Sequence, residues 1–105
     1  MSNDSSREPM LEMFIFETMQ LIDQLEQIIL YCEKSNQFDA SSIDEVFRIM
    51  HTIKGSAAMM LYNNIATLAH SIEDLFYFVR QSSDKSYSFS NLNDIVLEGI
   101  DFIKQ

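Results

Sequence analysis

Apolar positions return at alternating intervals of three and four along the first third of the chain, at Leu11, Phe14, Leu21, Leu25, Ile28 and Cys32, with Thr18 in the same line. That spacing keeps a stripe on one face of a helix with 3.6 residues per turn. Ile15, Ile22 and Ile29 form a second apolar line, which widens the stripe from a coiled-coil seam to the width buried in a bundle. The pattern predicts a long helix over about 9–33, entered at Pro9, where a first turn tolerates a missing N–H. A flexible leader at 1–8 precedes it. Its end falls near Lys34-Ser35-Asn36, with a cation in the last turn as the macrodipole prefers.

Three further helices follow. Ser42-Ile43-Asp44-Glu45 matches a capping box and opens a helix over about 42–59. Ile43, Val46, Phe47, Met50, Ile53 and Ala57 share its apolar face; His51 lies just off the edge, and Asp44, Arg48 and Gly55 sit farther toward solvent. Asn63 or Asn64 caps a third helix, about 64–81, with Ile65, Leu68, Ala69, Ile72, Leu75, Phe76 and Val79 inward. His70 and Glu73 flank that stripe, with Ala66 and Tyr77. A polar loop over Ser82–Phe89 then leads to a helix over about 91–104, begun at Ser90 and apolar at Leu92, Ile95, Val96, Gly99 and Ile103. The expected fold is all-α, an up-down four-helix bundle over 9–105. If the second and third helices are antiparallel across Met60–Asn63, their polar edges face one groove.

Composition narrows the function classes. A 105-residue chain, 47% apolar and 22% charged, is one globular domain able to bury roughly 65% of its unfolded surface. Two glycines and one proline leave few chain reversals, which favours long helices. A formal charge of −9 offers no basic footprint for nucleic acid. No apolar run approaches a membrane span, and Met1–Pro9 lacks a signal peptide's apolar core, so no membrane insertion and a cytoplasmic location are expected. Cys32, the sole cysteine, has no partner for an internal disulfide and reads as a buried hydrophobe. The seven methionines read as adaptable core filler. Phe76, Tyr77 and Phe78 exceed what one helix face buries, so part of that trio meets a partner or the bundle's end.

The chemistry concentrates in His51-Thr52-Ile53-Lys54-Gly55-Ser56-Ala57 and His70-Ser71-Ile72-Glu73. A phosphoryl acceptor needs a neutral imidazole nitrogen, open space, and donors for the phosphate oxygens. A free imidazole, with a pKa of about 6.5, is mostly neutral at pH 7. Lys54 shares the helix surface with His51, and at ~5 Å its attraction to a phosphate charge is about 1 kcal/mol in water-like screening and ~3 at an effective dielectric of 20. Gly55 lies beside the ring without bulk, and Ala57 and Ala58 extend the small-residue region. Glu73 is the candidate to fix the tautomer of His51 and steady positive charge on its ring. His70 has two readings, a phosphate contact or a competitor for the same carboxylate, beside a plain surface pair with Glu73. His51, His70 and Glu73 lack the paired i, i+4 histidines of a recognisable metal site, and no metal is expected.

These residues resemble the histidine-containing phosphotransfer (HPt) domain, most closely the N-terminal phosphoacceptor domains of CheA-type chemotaxis kinases. The shared pattern is His-x-x-Lys-Gly-[Ser/Gly]-[Ala/Ser], present as His51 to Ala57, then His-x-x-Glu, present as His70 to Glu73. The helix around Phe14-Ile15-Phe16-Glu17 and Leu25-Glu26 extends the resemblance over most of the chain. It implies that His51 takes phosphate from ATP bound on a separate kinase domain and passes it to an aspartate of a CheY-like response regulator, supported by Lys54, His70 and Glu73. One departure is the loss near Met60-Leu61 of a glycine common in the family, which affects how the second helix ends. No Gly-rich nucleotide loop, Walker-type lysine or kinase motif is present, so the chain is not an enzyme alone and would serve within a larger ATP-dependent histidine kinase. A free-standing phosphorelay carrier and a non-phosphorylated helical adaptor are the alternatives.

Overall fold

The computed structural model describes residues 2–81 and 89–104, with side chains from residue 8 onward. Four helices follow one another: α1 (Ser2–Ser35), α2 (Ala40–Met59), α3 (Asn63–Gln81) and α4 (Phe89–Lys104). Thirty-four residues at about 1.5 Å each make α1 roughly 50 Å long, which accounts for the 54 Å long axis of the molecule. It begins at Ser2, so the segment expected as a leader is helical and Pro9 lies inside the helix. Ser2-Asn3-Asp4-Ser5 is rich in the residues that favour helix starts, and Pro9, the eighth residue of α1, gives up the helix bond that its N–H would have made. Most of the loop expected at Ser82–Phe89 lies outside the described residues; Phe89 itself opens α4, one residue before the expected Ser90.

The helix ends show how local chemistry sets the bundle. Asn36 takes a left-handed φ of 58°, and the Gln37 N–H bonds the Cys32 carbonyl at 3.2 Å, closing α1 with a Schellman turn. The N-cap of α2 is Asp39 rather than Ser42: its carboxylate accepts from the Ser42 N–H at 2.8 Å. Ser42 is therefore inside the first turn, buried, and the capping box is not formed. That bond to a backbone N–H holds the Asp39 carboxyl below its usual range. At the other end of α2, Leu61 occupies the left-handed position at φ 65° where glycine is customary. The Tyr62 N–H bonds Ala57 at 2.8 Å and the Leu61 N–H bonds Ala58 at 3.1 Å, so the missing glycine leaves the helix end intact. The Tyr62 carbonyl accepts the Ala66 N–H at 3.0 Å as α3 begins.

The core runs along the bundle through Ile22, Leu25, Met50, Ile53, Ile72, Phe76, Val96 and Ile100, all essentially inaccessible to solvent. Each such side chain contributes about 1.5–3 kcal/mol when fully buried. Phe38 seals one end, edge-on to Phe76 at 5.4 Å and tilted against Phe89 at 5.0 Å. A smaller cluster of Phe14, Ala57 and Met60, with Tyr62, ties α1 to the end of α2. Gly99 allows α4 close to α3, because a Cβ there would stand 2.7 Å from Ile72 Cδ1.

A few apolar assignments shift. Ile15 and Ile95 are exposed, while Ile49, Ile100 and Asn93 turn inward beside stripes that otherwise stay buried. Among the described methionines, Met50 and Met60 fill the core, while Met10, Met13, Met19 and Met59 stand at the surface. Cys32 is buried as expected, and burial pushes its thiol above the usual range. Phe76 is in the core, whereas Tyr77 and Phe78 are exposed.

Candidate phosphoacceptor site

Helices α2 and α3 make the most extensive contact in the bundle, and their shared edge carries the expected chemistry. Glu73 has buried Ala69 and Phe76 one turn before and after it, so it sits on the inner margin of α3 with its side chain only 8% exposed. His51 stands opposite on α2 with 63% of its side chain in solvent. Its Nδ1 is 2.6 Å from Glu73 Oε2. The other carboxylate oxygen, Oε1, lies 2.8 Å from Lys54 Nζ.

The electrostatics assign the proton. Burial pushes the Glu73 carboxyl up, but Lys54 and then His51 pull it further the other way, and the net position is below the usual carboxylate range. An ionised carboxylate only accepts hydrogen bonds, so Nδ1 of His51 carries the hydrogen that Oε2 receives. No described residue bonds Nε2, which projects from the exposed ring. The arrangement therefore offers a nucleophilic nitrogen to solvent, with a fixed tautomer and a negative charge behind the ring.

The predicted residues do not all meet. Lys54, the residue expected to attract phosphate oxygens, is 30% exposed and ion-paired with Glu73, where a buried carboxylate left without a cation would be costly. His70 is exposed and reaches neither His51 nor Glu73; its Nε2 is 3.4 Å from Asp74 Oδ2 on the same helix. The reason is angular: on α3 its neighbours toward solvent include Asp74, while Glu73 turns inward. Gly55 is exposed, and a Cβ there would find nothing within 4 Å, so the space beside His51 is open. Ala58 is exposed as well, but Ala57 belongs to the core under Phe14 and Met60.

Residues not singled out from the sequence also border the ring. The Phe47 ring lies 6.5 Å from His51, centroid to centroid, with only 10° between the planes. Arg80 places its guanidinium carbon 4.7 Å from the Phe47 ring and bonds Asp44 Oδ1 at 3.1 Å. Phe47 precedes His51 by one turn, which was the available signal; its place in the apolar stripe concealed it. Among the described residues, no group of three or more His, Cys, Asp or Glu side chains is placed to hold a metal ion.

The family model described as Hpt domain matches residues 9–98. The chain belongs to the Hpt domain family. Its relatives include the chemotaxis protein CheA of Treponema pallidum, 34% identical over 101 residues, covering 96% of this chain and 12% of that protein. CheA of Borreliella burgdorferi is also 34% identical, over 103 residues, covering 97% of this chain and 12% of its own length. The chain thus spans about an eighth of these proteins. Among solved structures, the CheA phosphotransferase domain from Thermotoga maritima superposes with a TM-score of 0.79 at 33% identity, covering 92% of this Hpt chain and 89% of that one. The shared architecture is a helical bundle. No described helix is long and apolar enough to cross a membrane.

Proposed function

We propose that this Hpt domain is the phosphoacceptor module of a CheA-type histidine kinase in chemotaxis signalling, with His51 as the acceptor. The observation that carries the reading is the 2.6 Å contact between His51 Nδ1 and buried Glu73, which leaves Nε2 open on an exposed ring. In the proposed step the Nε2 lone pair attacks the γ-phosphorus of ATP held on a separate kinase domain. The N–P bond forms, the bond to the bridging oxygen breaks, and ADP leaves with that electron pair. Positive charge appears on the imidazole as Nε2 gives up its lone pair, while Nδ1 keeps its hydrogen bonded to Glu73. The carboxylate stabilises that charge, and Lys54 keeps the carboxylate ionised.

The reverse geometry serves the second transfer. An aspartate of a CheY-like response regulator approaches the same exposed face, its carboxylate oxygen forms a bond to phosphorus, and the N–P electron pair returns to Nε2. Open space at Gly55 and Ala58 admits the partner. ATP is the donor on the other domain, not a cofactor bound here.

Incubating the chain with a CheA kinase fragment and labelled ATP tests the proposal. The native chain is expected to gain acid-labile, base-stable label that a response regulator then drains, and His51→Gln to gain none. Equal labelling of both chains would move the acceptor elsewhere.

A further inference from the structure

We propose that Phe47 is a positioning residue for phosphoryl transfer: its ring sets the plane in which the His51 imidazole presents Nε2. The inference rests on the acceptor reading above and deepens it. Beyond its Cβ attachment the His51 ring is held by Glu73 at one atom, Nδ1, which still lets it rock about χ1 and χ2. An exposed imidazole pivoting there keeps its tautomer but swings the direction of Nε2. The lone pair that attacks lies in the ring plane, so in-line transfer depends on that direction as well as on the proton.

Phe47 supplies the missing constraint. Its plane is within 10° of the imidazole's, and the 6.5 Å between centroids lies toward the long end of the range of ring pairs. Phe47 is itself held from α3. Arg80 stands 4.7 Å from its centroid, the Tyr77 ring is 6.0 Å away, and Arg80 is tied back to Asp44 on α2 at 3.1 Å. Its inner edge packs on the core. A flat side chain braced on several sides gives the imidazole a fixed reference plane; leucine would replace the bulk and lose the plane. Phe47 acts through His51 and contacts no phosphoryl group.

The test measures labelling rate against kinase concentration for the native chain, Phe47→Tyr, Phe47→Leu and Arg80→Gln. Phe47→Leu is expected to lower the plateau rate roughly 10-fold, with half-saturation unchanged within about 2-fold. Phe47→Tyr should stay within about 2-fold of native, because the plane is kept. Arg80→Gln, a surface change that leaves the core alone, should lower the plateau roughly 3-fold even if the leucine variant folds poorly. Nitrogen NMR should show the Nδ1–H tautomer retained in every variant, with faster ring motion of His51 in Phe47→Leu. An unchanged plateau in Phe47→Leu or Arg80→Gln, a loss confined to half-saturation, or a tyrosine variant as slow as the leucine one overturns the inference while native labelling stands. Absence of label on the native chain overturns the acceptor reading, and this inference with it.

Discussion

His51 and His70 are both exposed imidazoles on the same pair of helices, each beside a carboxylate, and they differ in what that carboxylate is attached to. The partner of His51 is Glu73, drawn from another helix, 8% exposed and anchored on its far side by Lys54. The partner of His70 is Asp74, four residues along the same helix, exposed, at 3.4 Å. An exposed pair one turn apart is worth about 0.3–0.5 kcal/mol and opens freely to water. A buried carboxylate has lost its water and holds its remaining donors. The same residue type thus gains a fixed tautomer in one place and a passing contact in the other. Burial of the partner, not the presence of a histidine, distinguishes the sites.

The largest effect expected after removal of His51 itself belongs to Glu73→Gln. The amide keeps the shape but removes the charge behind the ring, and labelling should slow roughly 100-fold. Stability should fall by about 1–3 kcal/mol, because Lys54 loses its counter-charge in a partly buried site. The pH dependence has a definite sign. Glu73 sits below its ordinary value of 4.5 when folded, so the unfolded chain binds more protons in that interval. Its contribution is therefore complete above the unfolded value and is lost as pH falls through the folded one. Urea unfolding of native and Glu73→Gln chains should show a gap at about pH 5 that narrows as the pH falls further. A gap that widens in acid would break the account of His51 as the charge-supported member of the two.

Much of this comparison was legible in the sequence. The apolar stripes place His51 at the edge of α2 and Glu73 beside the stripe of α3, so their meeting needed only an antiparallel pair. The division between His70 and Glu73 was not legible, since both flank one stripe and the turn of the helix that buries one and exposes the other depends on how α3 is rotated against α2. Phe47 was hidden for the opposite reason: a residue that satisfies the core pattern leaves no signal of a second role. Asp39 was overshadowed by Ser42 and Glu45, whose spacing fits a capping box equally well. Pro9 misled because its preference for a first turn outweighed the helix-starting residues ahead of it. Leu61 was marked only by the missing family glycine, since nothing in a leucine itself announces a left-handed position.

A smaller effect sharpens the contrast directly. His70→Gln should leave the labelling rate within about 2-fold of native, because only an exposed pair is lost. Stability should change by less than about 0.5 kcal/mol. The assay is the same labelling time course, with Asp74→Asn as a companion. A loss comparable to that of Glu73→Gln would show that His70 contacts the transferred group, and the two histidines would then form one site rather than two unlike regions.

The smallest expected effect asks whether the edge that joins His51 to Glu73 is already fully formed. Leu61 turns the chain from α2 to α3 in a left-handed conformation that costs an ordinary residue about 1–2 kcal/mol, and its side chain is 72% exposed, so little packing is lost on truncation. Glycine removes that strain but loses more freedom on folding, by about 0.5–1 kcal/mol, so Leu61→Gly should stabilise the bundle by about 0.5–1 kcal/mol net. For a domain of this size the thermal midpoint should rise by a few degrees. The labelling rate should not move, because the Schellman bonds from Tyr62 and Leu61 already fix the end of α2. A rate that rose together with the midpoint would mean that the strained turn lets α2 and α3 separate part of the time. The contact between His51 and Glu73 would then be a population to be shifted rather than a fixed feature, and the contrast with His70 would become one of degree.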